Sequence, residues 1–361
     1  KYINLYHKKT IVIFIIFIYI ISNKLNFSNK LLEWYNLNKR DLPWRLTKDP
    51  YKIWVSEIIL QQTRIEFGEK YYYKFLKKYP TISILANTSE DELLKIWEGL
   101  GYYSRALNMF KTATIVIKKF NGVFPSRYNE LIDLPGIGDY TASAISSICI
   151  GEVQPVVDGN VLRFLSRLYK IDLPIDSAKT KTYFKNLGLE LIKDAKPGDF
   201  NQAMMDFGST VCKPKKSDCI ECTFSSNCEA YNSNSVMLYP LKKKKIKIKD
   251  RFLNYIVEIS DDNKTRIRKR TNSGIWKNLY EFPLIETKEE CSVDQIINNL
   301  DINFLELKSI KKTKHKLSHQ LLHITFFIFR SGEVLDDFIS INSLSNYPFP
   351  KPINNFISEL V

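Results

Sequence analysis

Leu134–Ala142 reads LPGIGDYTA. Pro135 and Gly136 suit a tight turn, and Gly138 permits close approach of the backbone to another group. A helix is expected to start near Asp139 and to run through Ala142 to Ile148. A glycine-rich turn at a helix start leaves N–H groups that can hold a phosphate. Such contacts position a duplex without reading its sequence. The same nine residues would also serve as an ordinary corner between helices. Working outward, Leu131 to Leu134 reads as the end of a preceding helix, and the helical pattern continues on both sides. Ser89 and Glu92 form a candidate capping box. Leu93, Ile96, Trp97 and Leu100 follow at helical spacing. Leu107, Phe110, Thr114, Ile117 and Phe120 make the next stripe, closed by Gly122 and Pro125. Similar stripes cover Asp158 to Tyr169 and Thr180 to Ile192. The chain from 25 to 230 therefore reads as one all-α domain.

With its hairpin at the centre, this region resembles a helix-hairpin-helix fold. A basic linker is expected over 231–250, where Leu241–Lys249 reads LKKKKIKIK. Beyond it the pattern changes. Phe252–Ser260, Thr265–Arg270 and His323–Arg330 are rich in β-branched and aromatic residues, as strands are, and Ser292–Leu300 reads as a helix. Residues 251–361 thus form a smaller α/β domain. Residues 1–24 stand apart. Ile11–Ile21 is an unbroken apolar run behind Lys8 and Lys9, shorter than the roughly 20 residues a membrane helix needs. It fits the apolar part of a targeting signal, or a stretch ahead of a start near Leu25.

The chain carries 53 Lys and Arg against 39 Asp and Glu, a net charge of +14. An excess of this size suggests a polyanionic partner. Part of it follows from a composition rich in Asn, Ile and Lys. Four of the six cysteines crowd together as Cys212, Cys219, Cys222 and Cys228, spaced C-x6-C-x2-C-x5-C. That clustering points to a metal centre in a reducing compartment and away from a secreted disulfide framework. Four thiolates hold either zinc or an iron–sulfur cluster, and spacing alone leaves both open. Lys213, Lys215 and Lys216 lie inside this loop, as phosphate contacts or as a charged surface.

Two acidic residues stand in suggestive surroundings. Glu57 lies in WVSEIIL, and a carboxyl among apolar side chains has a raised pKa; the competing reading is a solvent-facing Glu on an amphipathic helix. Asp158 lies in VDGNV, where it could cap the helix that follows.

Several blocks in order decide between these readings. They are DLPWR at 41–45, PYKIWVSEIILQQT at 50–63, WEGLGYYSRA at 97–106, VDGNVLR at 157–163 and FNQAMMDFG at 200–208. Together they resemble the adenine DNA glycosylase (MutY) family over about residues 31 to 229. The cysteine spacing resembles the cluster loop of that family and of endonuclease III, which implies a 4Fe–4S cluster at 212–228. The resemblance implies that Glu57 protonates adenine and later helps activate water, and that Asp158 stabilises the sugar cation. Asn160 would orient the carboxylates, and Tyr140 would add a hydrogen bond near Glu57. Endonuclease III carries a Schiff-base Lys where this chain has Tyr140, so a monofunctional enzyme is implied.

Gln61, Gln62 and Thr63 would enter the minor groove beside the mispair. Tyr102 would wedge beside the retained base, one of Tyr102 and Tyr103 being a core residue. Arg40 and Trp44 would line the adenine pocket, and Pro135, Gly136 and Gly138 would hold the backbone. SGIWKNLYEFP at 273–283 resembles the Nudix-like domain of these enzymes, which reads 8-oxoguanine. No array of clustered Glu residues follows Gly274, so nucleotide hydrolysis is not expected. Leu317, Ser318 and His319 match the family's Phe-Ser-His loop, with Leu317 in place of Phe. Loss of that ring would weaken discrimination for 8-oxoguanine over guanine. The implied partner is duplex DNA carrying adenine opposite 8-oxoguanine or guanine. The implied enzyme is a monomer, cytoplasmic or nucleoid-associated, with no membrane partner. Two alternatives remain: an endonuclease III-like glycosylase and lyase for oxidised pyrimidines, and a non-catalytic iron–sulfur DNA-binding protein.

Overall fold

The computed structural model describes residues 27–243, 248–299, 305–331 and 337–360. The N-terminal segment expected at 1–24 and the middle of the basic linker lie outside them. In chain order the helices are α1 (27–38), α2 (Pro50–Leu60), α3 (Ile65–Lys78), α4 (Ile82–Ala86), α5 (Glu90–Ile96), α6 (Ser104–Phe120), α7 (Tyr128–Leu131), α8 (Asp139–Ile150), α9 (Gly159–Leu168), α10 (Ala178–Ile192), α11 (Pro197–Thr210) and α12 (Glu229–Asn232). None of the described helices is long and apolar enough to cross a membrane.

Packing divides the chain into two compact units. The first holds the described residues up to Leu76 and those from Ile115 to the linker. The second joins Lys77–Thr114 to everything described beyond the linker. In sequence, 77–114 reads as part of one continuous helical domain, whereas its packing groups it with the sheet.

In the first unit, helix starts follow local chemistry. Asp49 accepts a hydrogen bond from the Tyr51 N–H at 2.9 Å, and Pro50 opens α2 with its φ already set. Gly151 closes α8 with φ at 71°, a left-handed conformation that glycine adopts without strain. The core gathers Phe27, Phe164, Phe200, Phe207 and Phe224 with Leu165, Phe184 and Ile192. α2 is buried from Tyr51 through Ile59 with only Lys52 partly accessible. Such a helix has no solvent face on which to place a charged residue.

The second unit is built on a sheet of β1 (Lys249–Ser260), β2 (Lys264–Arg266), β5 (Leu284–Thr287), β6 (Leu305–Lys316), β7 (Gln320–Ser331) and β8 (Phe338–Ser340). Its order is β6-β7-β1-β2-β8, and β5 also pairs with β1. β1 and β7 run parallel and β6 antiparallel to β7. The short strands β3 (Arg268–Lys269) and β4 (Tyr280–Glu281) form a separate pair. α13 (Val293–Asn299) and α14 (Lys351–Ile357) complete the unit. Phe282, Phe326, Phe349 and Phe356 pack at its centre.

Residues 77–114 are tied to this sheet by polar contacts. Tyr280 donates to Asp91 at 3.0 Å, Lys269 pairs with the same carboxylate at 2.5 Å, and Asn278 donates to Glu90 at 2.8 Å. Lys95 donates to the Tyr347 carbonyl at 3.2 Å. Half of the expected capping box forms. Ser89 accepts from the Glu92 N–H at 3.2 Å, but the Glu92 carboxylate turns to Lys78 and to the Thr88 hydroxyl. On α6 the buried face is Ala106, Met109, Ala113 and Val116, not the expected stripe; Ile117 is exposed.

Candidate active site

Glu57 sits in the middle of α2 and is buried, only 7% exposed. Burial raises its pKa from 4.5 to about 7. A hydrogen bond from Tyr140 pulls it down, and the neighbouring Asp158 pushes it up. The carboxyl therefore holds a proton at near-neutral pH. Tyr140 stands one residue into α8, and its phenol lies well above the ordinary range because of desolvation and the two carboxylates. The Met205 sulfur on α11, 3.0 Å from the Tyr140 hydroxyl, is a second acceptor for the same proton.

Asp158 is the N-cap of α9. One of its oxygens accepts from the backbone N–H groups of Asn160 at 2.9 Å and Val161 at 2.8 Å. The other accepts from the Asn160 amide at 2.7 Å. Burial raises its pKa, and these three bonds act in the opposite direction. Capping and a role in the site are thus the same arrangement. The Asn160 amide oxygen accepts from Arg163 at 2.9 Å, which leaves its NH2 directed to Asp158. Arg163 also donates to the carbonyls of Cys212, at 2.7 Å, and Gly208. A Cβ on Gly208 would meet the Asn160 carbonyl oxygen at 2.7 Å, so only glycine lets α11 press on this turn.

Arg40 pairs with the buried carboxylate of Asp206 on α11, and Arg45 joins the same oxygen at 2.8 Å. Trp44 is buried edge-on against Tyr72, with ring centroids 5.4 Å apart. Asp206, Arg45 and Met205 fall within or beside blocks that were legible in sequence, yet nothing there distinguished them from core residues. Gln62 and Tyr102 both adopt left-handed backbone, at φ 58° and 47°, a conformation that strains a non-glycine residue. Gln62 is exposed, and Gln61 approaches the Thr141 hydroxyl at 3.5 Å.

The hairpin takes the expected form. Ile137 donates to the Leu134 carbonyl at 3.1 Å, Gly136 is left-handed at φ 77°, and α8 begins at Asp139. Space is open where a Cβ of Gly138 would stand. The first-turn N–H groups of α8 have no intrahelical acceptor. Asp139 itself pairs with Lys185 and accepts from the Tyr128 hydroxyl at 2.6 Å.

Cys212, Cys219, Cys222 and Cys228 line one cavity with Phe164, Phe207 and Phe224. Among the described residues no three ligating side chains converge as a lone metal ion requires. Burial raises the thiols, Cys222 to about 11, and mutual repulsion as thiolates adds to this for Cys219, Cys222 and Cys228. Buried Arg167 organises the loop, donating to the carbonyls of Lys213 at 2.7 Å and Tyr239 at 3.1 Å and to the Ser217 hydroxyl at 2.7 Å. It reaches the Cys212 sulfur at 3.5 Å. Sequence reading had not singled it out. Lys213, Lys215 and Lys216 are exposed.

Within the second unit, Leu317 donates its N–H to the Gln320 carbonyl at 2.8 Å, closing a tight turn between β6 and β7. Ser318 and His319 are exposed at its tip, while Leu317 packs against the core. Tyr102 is 48% exposed and its hydroxyl meets that of Ser318 at 2.5 Å. Tyr103 is the core member of the pair, bonded to the Phe349 carbonyl at 3.4 Å.

Residues 55–188 match the model of the HhH-GPD superfamily of base excision DNA repair proteins, and residues 254–359 match that of the NUDIX domain. The chain is 36% identical over 345 residues to the adenine DNA glycosylase of Buchnera aphidicola subsp. Acyrthosiphon pisum (strain APS), covering 93% of this chain and 98% of that one. It is 41% identical to the Homo sapiens adenine DNA glycosylase over 56% of this chain and 39% of the human one. Among solved structures, a thermostable thymine-DNA glycosylase aligns with a TM-score of 0.55 at 30% identity, covering 59% of this chain and 98% of that one. An endonuclease III–DNA complex aligns at 0.50 and 23% identity over 58% and 97%, a likeness of fold. With identity running through both units and nearly the full length of a relative, the chain belongs to the adenine DNA glycosylase family.

Proposed function

We propose that this protein removes adenine from duplex DNA where it faces 8-oxoguanine or guanine, hydrolysing the N-glycosidic bond and leaving an abasic site. The observation that carries this reading is Glu57: a carboxyl buried in α2 and pushed up to about 7, beside Asp158 and Tyr140. A raised acid next to a second carboxylate suits a reaction that passes through an oxocarbenium-like sugar.

In that reaction Glu57 gives its proton to a ring nitrogen of the flipped adenine. The bond from the base to the sugar C1′ breaks, and its electron pair leaves with adenine. Asp158, held by Asn160 and two backbone N–H groups, faces the cationic sugar. Water then adds to C1′, and its proton passes to the ionised Glu57, which restores the acid. Tyr140 supports Glu57 by hydrogen bonding and has no amine with which to form a Schiff base, so strand cleavage is not part of the cycle. Extruding the base costs a few kcal/mol, least at a mispair; Gln61, Gln62, Thr63 and Tyr102 would offset part of it by filling the stack. Arg40 and Trp44 would shape the adenine pocket from behind, since Arg40 is committed to Asp206. Ser318 and His319 would contact the retained base.

Four soft sulfurs about one cavity, with the Arg167 guanidinium beside them, suit a 4Fe–4S cluster. Bound there, it would supply a covalent tie across the 212–228 loop, which presents three lysines. Pro135, Gly136 and Gly138 would seat the backbone.

The test uses labelled duplexes with adenine opposite 8-oxoguanine, adenine opposite guanine, or thymine glycol opposite adenine. Breaks at adenine that require alkali, with no borohydride-trapped adduct, are the expected result. Cleavage at thymine glycol alone would transfer the chain to oxidised pyrimidines, and binding without any cleavage would make it a non-catalytic DNA-binding protein.

A further inference from the structure

The Tyr140 phenol has one proton and two acceptors in reach. The Glu57 carboxyl is one, and the Met205 sulfur, 3.0 Å away, is the other. A thioether accepts hydrogen bonds weakly but cannot donate. If Tyr140 donates to Glu57, it stabilises the ionised carboxylate. If it donates to Met205, its oxygen is left to accept the proton of a neutral Glu57. We propose that Met205 is a positioning residue that favours the protonated form of Glu57 by accepting the single proton of Tyr140. The proposal rests on the reading of Glu57 as the acid.

The geometry supports a fixed competitor. Met205 precedes Asp206 on α11, and Arg40 and Arg45 both grip the Asp206 carboxylate. The backbone that carries Met205 is therefore anchored beside the sulfur. Met205 is partly buried and packs against the main core of this unit. The titratable groups acting on Glu57 are Tyr140 from α8 and Asp158 at the start of α9. Cys149, further along α8, senses Glu57 in turn, and on α11 the charge of Asp206 is matched by its two arginines. Tyr140 stays protonated across the working range, since its own pKa lies well above 10. The thioether thus acts through the direction of one O–H bond, without changing any charge.

Met205→Leu keeps the volume and removes the acceptor. The full-length protein would be followed from pH 5 to 9 by two readouts. One is single-turnover adenine release from an adenine:8-oxoguanine duplex. The other is the infrared band of the protonated carboxyl that disappears in Glu57→Gln, which needs no activity. In Met205→Leu both midpoints are expected to fall by roughly half a pH unit, so release at pH 8 drops about threefold while the acid plateau is unchanged. Met205→Gln, which restores an acceptor, would move the midpoint back. Adding Tyr140→Phe to Met205→Leu would abolish the difference between Met and Leu. Midpoints equal to the parent's, or a uniform loss at every pH, would overturn the proposal. A parent that shows the infrared titration but releases no adenine would overturn the proposed function instead.

Discussion

At the residue scale, burial of Glu57 has a thermodynamic consequence apart from catalysis. Its folded pKa of about 7 exceeds the ordinary 4.5. Between these values the native state keeps a proton that the unfolded chain has released. Stability associated with this group is therefore full below pH 4.5 and is lost as pH rises through 7. Glu57→Gln removes the dependence. It should gain on the parent by roughly 3 kcal/mol between pH 4.5 and 8, read as a Tm difference that grows with pH. A constant Tm difference would mean that Glu57 is not perturbed in the folded protein. The residue was legible in sequence only as a carboxyl among apolar neighbours. Whether that helix face looked inward depended on contacts made by α8, far away in the chain. Asp158 was simpler, because a cap is a local matter. Met205 and Arg167 were illegible, since a Met and an Arg on amphipathic helices look alike whether or not they support a site.

At the element scale, Gly208 sets how closely α11 approaches the turn that opens α9. Gly208→Ala would push a Cβ into the Asn160 backbone at 2.7 Å. A cost of about 1–3 kcal/mol is expected, by overpacking, together with slower adenine release and unchanged DNA affinity. Unchanged release would show that the Asn160 turn tolerates displacement. Arg167→Gln should loosen the cysteine loop by leaving the Lys213 and Tyr239 carbonyls without their donor. Iron bound per chain is the measure, and full loading would refute the role given to Arg167. At the β6–β7 turn, Leu317→Phe should raise the ratio of release opposite 8-oxoguanine to release opposite guanine; an unaltered ratio would exclude Leu317 as a determinant. Helix starts, the hairpin and the strands β1 and β7 were readable from caps, glycines and β-branched runs. The buried face of α6 is hard to read in sequence because it includes the small residues Ala106 and Ala113. Larger Leu107 and Phe110 sit at the margin. β6 was missed because LELKSIKKTKHK is lysine-rich and shows little apolar alternation.

For the whole molecule, sequence divides the chain by composition, and packing divides it by partners. Residues 77–114 are helical and lie within the matched glycosylase region. Their acidic residues Glu90 and Asp91 meet Asn278, Tyr280 and Lys269, however, and so they cluster with the sheet. Pairings between such distant segments have no local signature. They bring Tyr102 and Ser318 into contact, two residues assigned from separate motifs to the same retained base. Under the proposed function, the first unit supplies the carboxyls that act on adenine and the second supplies the exposed Ser318 and His319 that would inspect its partner. The most direct test is the pH dependence of single-turnover adenine release opposite 8-oxoguanine, for the parent and Glu57→Gln. The account predicts a rate that declines as pH rises through about 7 and vanishes in the variant. A parent rate independent of pH across that range, or substantial release by Glu57→Gln, would contradict it.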